Sequence, residues 1–452
     1  MTIFKAYDIR GRYPEEINEE LAHAIGRAFV TFTKCSDVMV GYDARTHSPA
    51  LTEALIRGLT EQGASVTNCG LVTTPQTIAM HLIKGHECAI MVTASHLDAP
   101  MNGFKMFTQG GKNITSLYGM REMEHLVATK AFTPSKHIGT VRHANYTEDF
   151  ATAINTLAPK HTGQRKQFVV DCSNGSVGPL VKLHQHLLNL DIDIINAEPD
   201  GTFPNHSPNP IAPGAERQAA ERIKQTGAAG GCIFDADADR ITFLDEKGTL
   251  IHPNATSCLI ITELLQLHPK RTIAYDLISS RVLPETIKHL HGTPLRTRVG
   301  RNILVDDMRR EHALFGAESS SHMIYGDLAY ADAATLSMLI MFSIVERKER
   351  PLSTYSHTIL KYPLQPEKNY HIDKPQTVID ALPALFPAAK VDRLDGLALL
   401  FPDGWIVVRP SNTEPLLRFR AEANTTERLH EFVHAVDALV KKLGGAVETS
   451  SH

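Results

Sequence analysis

Residues 38–59 read VMVGYDARTHSPALTEALIRGL. The apolar run VMVGYD (Val38–Asp43) has the length and β-branched content of a strand. After a short polar loop, Ser48 is placed to cap a helix with Pro49 at its first position, and Leu51, Leu55 and Leu59 recur at helical spacing. A strand passed to a helix through a polar loop is the building unit of parallel sheets with crossover helices. The unit recurs along the chain. CAIMVTAS (88–95) ends at a polar loop, FVVDCSNGSVGP (Phe168–Pro179) runs from strand through a Gly-rich turn into a helix, and GGCIFDADADR (230–240) enters an acidic loop. TIAYD (Thr272–Asp276) and ALFGAESSSH (Ala313–His322) repeat the plan. Each time the polar residues gather after the strand, where open α/β sheets bind ligands.

The last part changes character: WIVVR, a loop, then LLRFRAEA and an apolar helix over His430–Leu443 suggest a small α+β domain. A chain of 452 residues with 42% hydrophobic composition exceeds what one core usually organises, about 250–300 residues. Four domains are expected, at 1–145, 146–246, 247–360 and 361–452. With 46 basic and 50 acidic residues, a net charge of -4 and no long run of one sign, no footprint for nucleic acid or an anionic membrane is present. The opening MTIFKAYDIRGR does not read as a secretory signal, and the apolar stretch Ala333–Val345 is too short to span a bilayer and is expected to be a buried helix. Six scattered cysteines without a CxxC pair suggest neither disulfides nor zinc, as in a reduced cytoplasmic enzyme. The oligomeric state is open between monomer and dimer.

Four segments carry chemistry. In IFDADADR, the alternating Asp235, Asp237 and Asp239 converge only if the loop curls around a hard cation, because three carboxylates otherwise repel; Mg²⁺ fits, with Arg240 beside it. A lone DxD is more often a solvated acidic turn. TASHLDAPMNGFKM (93–106) follows a strand, and Ser95 on a strand-to-helix turn would expose its hydroxyl for phosphorylation, with His96 able to move a proton and Lys105 to stabilise transferring charge. Its plain alternative is an N-cap by Ser95 or Thr93. GAESSSHM (316–323) sets Glu318, Ser320 and His322 at alternate positions, suited to sugar hydroxyls or to an ordinary serine-rich turn. VRPSNTEPLLR (408–418) gathers Arg409, Ser411, Asn412 and Thr413 in one turn, suited to a non-reacting phosphate or to no ligand; Arg418 adds charge or decorates a strand.

Together, in this order and over nearly the whole chain, these segments resemble the phosphoserine, metal, sugar-binding and phosphate-binding loops of the α-D-phosphohexomutase superfamily. The opening FKAYDIRG (4–11) is similar to its phosphomannomutase/phosphoglucomutase branch. The resemblance implies three related mixed α/β domains and a C-terminal α+β phosphate-binding domain around a central cleft. It further implies Mg²⁺ held by Ser95, Asp235, Asp237 and Asp239, catalysis by Ser95, His96, Arg10 and Lys105, and hexose phosphates as small-molecule partners, with a hexose 1,6-bisphosphate as activator and intermediate. Tyr7 and Arg10 would face the site. The sequence departs from the family's pattern in four places: Leu97 and Asp98 replace Asn-Pro after TASH, Ala236 replaces a glycine, GAESSSH stands for GGEMSGH, and RVGR (298–301) brings Arg298 and Arg301 in place of lysine and histidine. The expected activity is a 1,6-phosphomutase acting on mannose or glucose phosphates. Phosphoglucosamine mutase, a catalytically weak sugar-phosphate-binding protein and an aspartate-nucleophile phosphatase are the alternatives.

Overall fold

The computed structural model describes residues 3–132, 135–160, 163–348, 350–411 and 416–448. Strand Asp37–Tyr42 lies inside the first, seven-stranded sheet, parallel to both Ser65–Leu71 and Cys88–Val92. Beyond Cys88–Val92 the sheet turns antiparallel, through Met101–Thr108 to Ile9–Arg12 at its edge. The helix expected after Tyr42 forms over Ser48–Glu61, but Ser48 is not its cap. His47 holds that position without a side-chain cap, and the Ser48 hydroxyl instead donates to Asp43 Oδ1 at 2.6 Å. A carboxylate buried at the strand end is the stronger acceptor.

The second sheet has the order Leu250–Ile251, Ile241–Leu244, Gly231–Phe234, Phe168–Asp171, Ile192–Ile195, and the third is led by Thr272–Asp276, parallel to Thr293–Thr297 and Phe315–Ala317. Both are mixed, with parallel pairs over one half of the sheet and antiparallel pairs over the other. The expected buried helix spans Ala334–Arg347, and every residue from Ala334 to Glu346 is buried, as a helix apolar on all sides requires. Its Phe342 stacks on Phe168 of the second sheet, with centroids 3.8 Å apart and planes 7° from parallel. Burial of one such ring is worth about 1.5–3 kcal/mol, so this contact ties the third unit to the second.

The fourth sheet is antiparallel throughout and is covered by helices Pro375–Leu385 and Thr426–Lys442. The last helix begins four residues before the expected His430, because Thr425 accepts the Arg428 N–H at 3.2 Å and caps it there. Strand Leu364–His371 carries a β-bulge between Gln365 and Lys368. The architecture is thus three mixed α/β domains and a C-terminal α+β domain, arranged around a cleft of about 340 Å³. All six cysteines are buried and unpaired. Among the described residues no helix is long and apolar enough to cross a membrane.

Candidate active site

Ser95 follows strand Cys88–Val92, but the chain then returns as the antiparallel strand Met101–Thr108, with no helix between. The pairing of Gly103 beside Arg10 keeps the returning segment extended. The serine therefore stands on a strand-to-strand turn, and it is buried. Its φ of +52° lies in the left-handed region, which costs a non-glycine residue about 1–3 kcal/mol and persists only where the surroundings impose it. Arg45 does so. This fully buried guanidinium donates to the carbonyls of Ser95 (2.7 Å), Leu97 (2.5 Å), Asp98 (2.7 Å) and Met101 (2.9 Å), and its Nε donates to Asp43 at 3.0 Å. Asp43 also accepts from Thr93 Oγ1 at 2.7 Å, and Thr93 Oγ1 accepts the Ser95 N–H at 2.8 Å.

The Ser95 hydroxyl donates to Asp235 Oδ2 at 3.0 Å and lies 3.3 Å from His96 Nδ1. Burial, then the charges of Arg240 and Arg10, press the His96 imidazole down to about 2, so it is unprotonated at neutral pH. The acidic loop rests on the Gly-rich turn after Phe168–Asp171. Ser173 Oγ donates to the Phe234 carbonyl at 2.6 Å, Ser176 N–H to that of Ala236 at 2.8 Å, and a Cβ on Gly175 would come within 2.5 Å of the Ala236 oxygen. Ala236, where the family pattern has glycine, keeps a negative φ; the left-handed residue of this loop is Ala238, at +57°. The side chain at 236 is therefore accommodated without backbone strain.

Asp235, Asp237 and Asp239 are all buried, and one carboxylate oxygen from each lies within 4.8 Å of the others. Lys105, on Met101–Thr108, donates to Asp237 Oδ2 at 2.7 Å and Asp239 Oδ2 at 2.6 Å, while Thr74 Oγ1 donates to Asp237 Oδ2 at 2.5 Å. Asp98 is exposed, and the partners that hold Lys105 are Asp237 and Asp239. Among the described residues, Asp237 Oδ1 and Asp239 Oδ1 are buried without a hydrogen-bond partner. Burial, then the charges of Asp239 and Asp237, push the Asp235 carboxyl far above its ordinary range. Burial works on Asp239 in the same direction, but the charges of Lys105 and Arg240 outweigh it and hold that carboxyl well below the usual range. One lysine does not neutralise three buried carboxylates. Orphaned hard oxygens at this spacing fit a small divalent cation.

The remaining expected residues converge on the same cleft. Tyr7, Arg10, Ser95, Lys105, Asp239, Arg240, Glu318, Ser320, His322, Arg409 and Ser411 line it, and Asp235, Asp237 and His96 stand just behind. Arg10 pairs with Asp8 at 2.7 Å. Arg240 Nε donates to His322 Nε2 at 3.0 Å, which leaves Nδ1 to donate to Asp332 at 3.0 Å. Glu318 accepts the Gly300 N–H at 3.1 Å and the Ser320 hydroxyl at 3.2 Å, and burial raises its carboxyl above the ordinary range. Arg301 points into the cleft and is held by Asp332 at 2.7 Å and Asn113 at 3.2 Å, whereas Arg298 is exposed. Asn412 and Thr413 lie outside the described residues. Sequence reasoning missed Asp43, Arg45, Thr74 and Asp332. Arg45 left a trace, a basic residue two positions after a strand-ending aspartate; Thr74 and Asp332 left none.

Four domain families match the chain in order. These are phosphoglucomutase/phosphomannomutase alpha/beta/alpha domain I over residues 1–133, domain II over 144–248, domain III over 252–362, and the C-terminal domain over 367–439. A phosphomannomutase of Salmonella typhimurium is 31% identical over 439 residues, covering 94% of this chain and 95% of the relative. Phosphohexose mutases of Xanthomonas campestris are 31% identical over 95% of this chain and 96% of theirs. The crystal structure of a phosphoglucomutase/phosphomannomutase family protein from Burkholderia thailandensis superposes with a TM-score of 0.89 at 28% identity, over 99% of each chain. The fold, the order of its loops and these likenesses together establish that the chain belongs to the phosphoglucomutase/phosphomannomutase family of α-D-phosphohexomutases, and is an isomerase of the mutase kind.

Proposed function

We propose that this enzyme moves phosphate between the 1- and 6-oxygens of a hexose through a phosphoserine at Ser95 and a hexose 1,6-bisphosphate. Mannose phosphates are the first expected substrates and glucose phosphates the second, a preference supported by the FKAYDIRG opening and by relatives named phosphomannomutase. The observation that carries the proposal is the Ser95 hydroxyl, held in a strained turn 3.0 Å from Asp235 at the floor of a cleft lined with cations. In the first half-reaction a sugar hydroxyl oxygen attacks the phosphorus on Ser95. The P–Oγ bond breaks as the new P–O bond forms, and one proton passes, net, from the sugar hydroxyl to Ser95 Oγ. His96 Nδ1 lies 3.3 Å from that oxygen and, as an unprotonated imidazole, would accept a hydrogen bond from the restored Oγ–H. The bisphosphate then turns within the cleft, and its other phosphate returns to Ser95 by the reverse step.

Such transfers are chiefly positioning and charge stabilisation. Lys105, Arg10 and Arg240 hold the charge of the moving group, while Glu318, Ser320 and His322 orient sugar hydroxyls with Tyr7 beside them. Arg409 and Ser411, with Asn412 and Thr413, grip the phosphate that does not react. Asp235, Asp237 and Asp239, with an oxygen on Ser95, would hold Mg²⁺, which supplies Lewis-acid polarisation of the phosphoryl group when bound. The partners are small hexose phosphates, and the setting is expected to be the cytoplasm.

The test is phosphorus NMR with Mg²⁺, a trace of glucose 1,6-bisphosphate and, separately, the 1-phosphates of mannose, glucose and glucosamine. Mannose 6-phosphate should form, and Ser95→Ala should lower the rate by more than about a thousandfold. Full activity in Ser95→Ala would rule out the phosphoserine. Absence of turnover with every sugar would leave a binding protein.

A further inference from the structure

Arg409 and Arg418 face each other directly across the antiparallel pair Gly404–Pro410 and Leu416–Ala423, and both line the cleft. Like charges opposite one another in a sheet are destabilising. A third arginine, Arg420, follows two residues on, on the same face of the strand. Among the described residues, the buried Nε–H groups of Arg418 and Arg420 have no acceptor. What stands between the first two is Glu367. Its Oε1 accepts from Arg418 Nη1 at 3.2 Å, and its Oε2 lies 3.5 Å from Arg409 Nη2. Glu367 belongs to the β-bulge, where Pro366 and Glu367 together oppose the single residue Arg420, and a bulge of this kind re-aims a side chain away from the regular pleat.

Resting on the reading of the cleft as a hexose-phosphate site, we infer that Glu367 is an internal stand-in for the substrate's non-reacting phosphate and that it sets the affinity for that phosphate by competing with it. The sheet register fixes the backbones of Arg409 and Arg418, so they do not need Glu367 to find their places. Its grip is also loose. The carboxylate gives one long contact to each arginine instead of the bidentate fork a strong pair would make, and its side chain remains 31% exposed. A phosphate dianion offers more charge and more acceptors to the same donors. It must displace a carboxylate that then stays nearby as a like charge. Glu367 thus keeps the arginines apart when the cleft is empty and weakens the hold on product when it is full.

The experiment is calorimetric titration of the full-length protein at fixed ionic strength with inorganic phosphate and with mannose 6-phosphate. It compares the wild type with Glu367→Gln, which keeps the shape and removes the charge, and with Arg418→Gln. Glu367→Gln should bind both probes about 3- to 10-fold more tightly, the reach of one partly exposed charge, with KM falling in parallel, and Arg418→Gln should bind both more weakly. Thermal melting adds a readout that a purely structural role would not give: Glu367→Gln should melt earlier than the wild type without phosphate and recover the difference when phosphate is saturating. Equal or weaker binding by Glu367→Gln overturns the proposal, because Glu367 would then build the site. Tighter binding of phosphate by Glu367→Gln, in a protein that turns over no hexose phosphate, upholds the competing carboxylate and defeats the mutase reading alone.

Discussion

In the first α/β unit Asp43 follows the leading strand, and in the third Asp276 ends it; in both, the parallel neighbour of that strand delivers a loop to the cleft. Asp276 accepts from Ser279 Oγ at 2.6 Å and from the N–H and hydroxyl of Ser319 at 2.9 and 2.7 Å. The supports are neutral groups, and the loop they steady carries Glu318, Ser320 and His322. Asp43 instead fixes a guanidinium that collects four carbonyls of the Ser95 loop. The difference follows the demands on each loop. On the proposed mechanism, orienting a sugar tolerates small displacements whereas in-line attack on phosphorus does not, and only the first of the two loops holds its proposed phosphate-carrying serine at a positive φ under a buried ion pair. Asp171 of the second unit lies between these cases, held by the Ser173 N–H, Asn196 and His206.

The largest expected effect is that of Arg45→Met. It strands a buried carboxylate and four carbonyls, so stability should fall by about 3–5 kcal/mol in urea melts and kcat by more than about a hundredfold. Arg45→Lys should rescue little, because a single ammonium cannot reproduce the planar fork. If Arg45→Met proves as mild as a change at Asp276, the contrast between the units collapses. Next comes Asp276→Asn, which should cost about 1–2 kcal/mol in the same melts and show mainly as a higher KM for hexose phosphate. A loss confined to kcat would mean that the third loop takes part in the chemistry.

The smallest effect sharpens the middle case. Burial alone would lower the His206 pKa, but the hydrogen bond and charge of Asp171 raise it above 6.5. A raised folded-state value means that the stabilisation is fully present below the unfolded-state pKa and is lost as pH rises through the folded one. Stability should therefore decline on passing from mildly acidic to neutral pH. His206→Gln should flatten that segment of the profile; an unchanged slope would show that the pair carries no charge.

Much of this was legible in the sequence because the relevant signals are local. Strand-then-polar-loop repeats announced the α/β units, and carboxylates, serines and arginines crowded into short windows announced the loops. What escaped depends on partners far away along the chain. Thr74 meets Asp237 across 163 positions, and nothing near either residue marks the pairing. The same holds for Asp332, which steadies both His322 and Arg301. Ser48 looked like a helix cap because its neighbours are right for one; its acceptor Asp43 is only five residues away, but the burial that makes this carboxylate compete is set by the fold. The serine turn was misjudged for a related reason, since the strand after it is held by pairing with Ile9–Arg12 at the opposite end of the domain sequence.

The burial of every cysteine also has a practical consequence. Cys35, Cys69 and Cys88 belong to the first unit, Cys172 and Cys232 to the second and Cys258 to the third, while the fourth carries none. A thiol sealed in a core reacts with an alkylating reagent only when its surroundings open. The chain therefore contains its own domain-resolved clock: the order in which the six thiols become labelled under mild denaturant reports the order in which the three α/β units come apart, with the C-terminal domain silent.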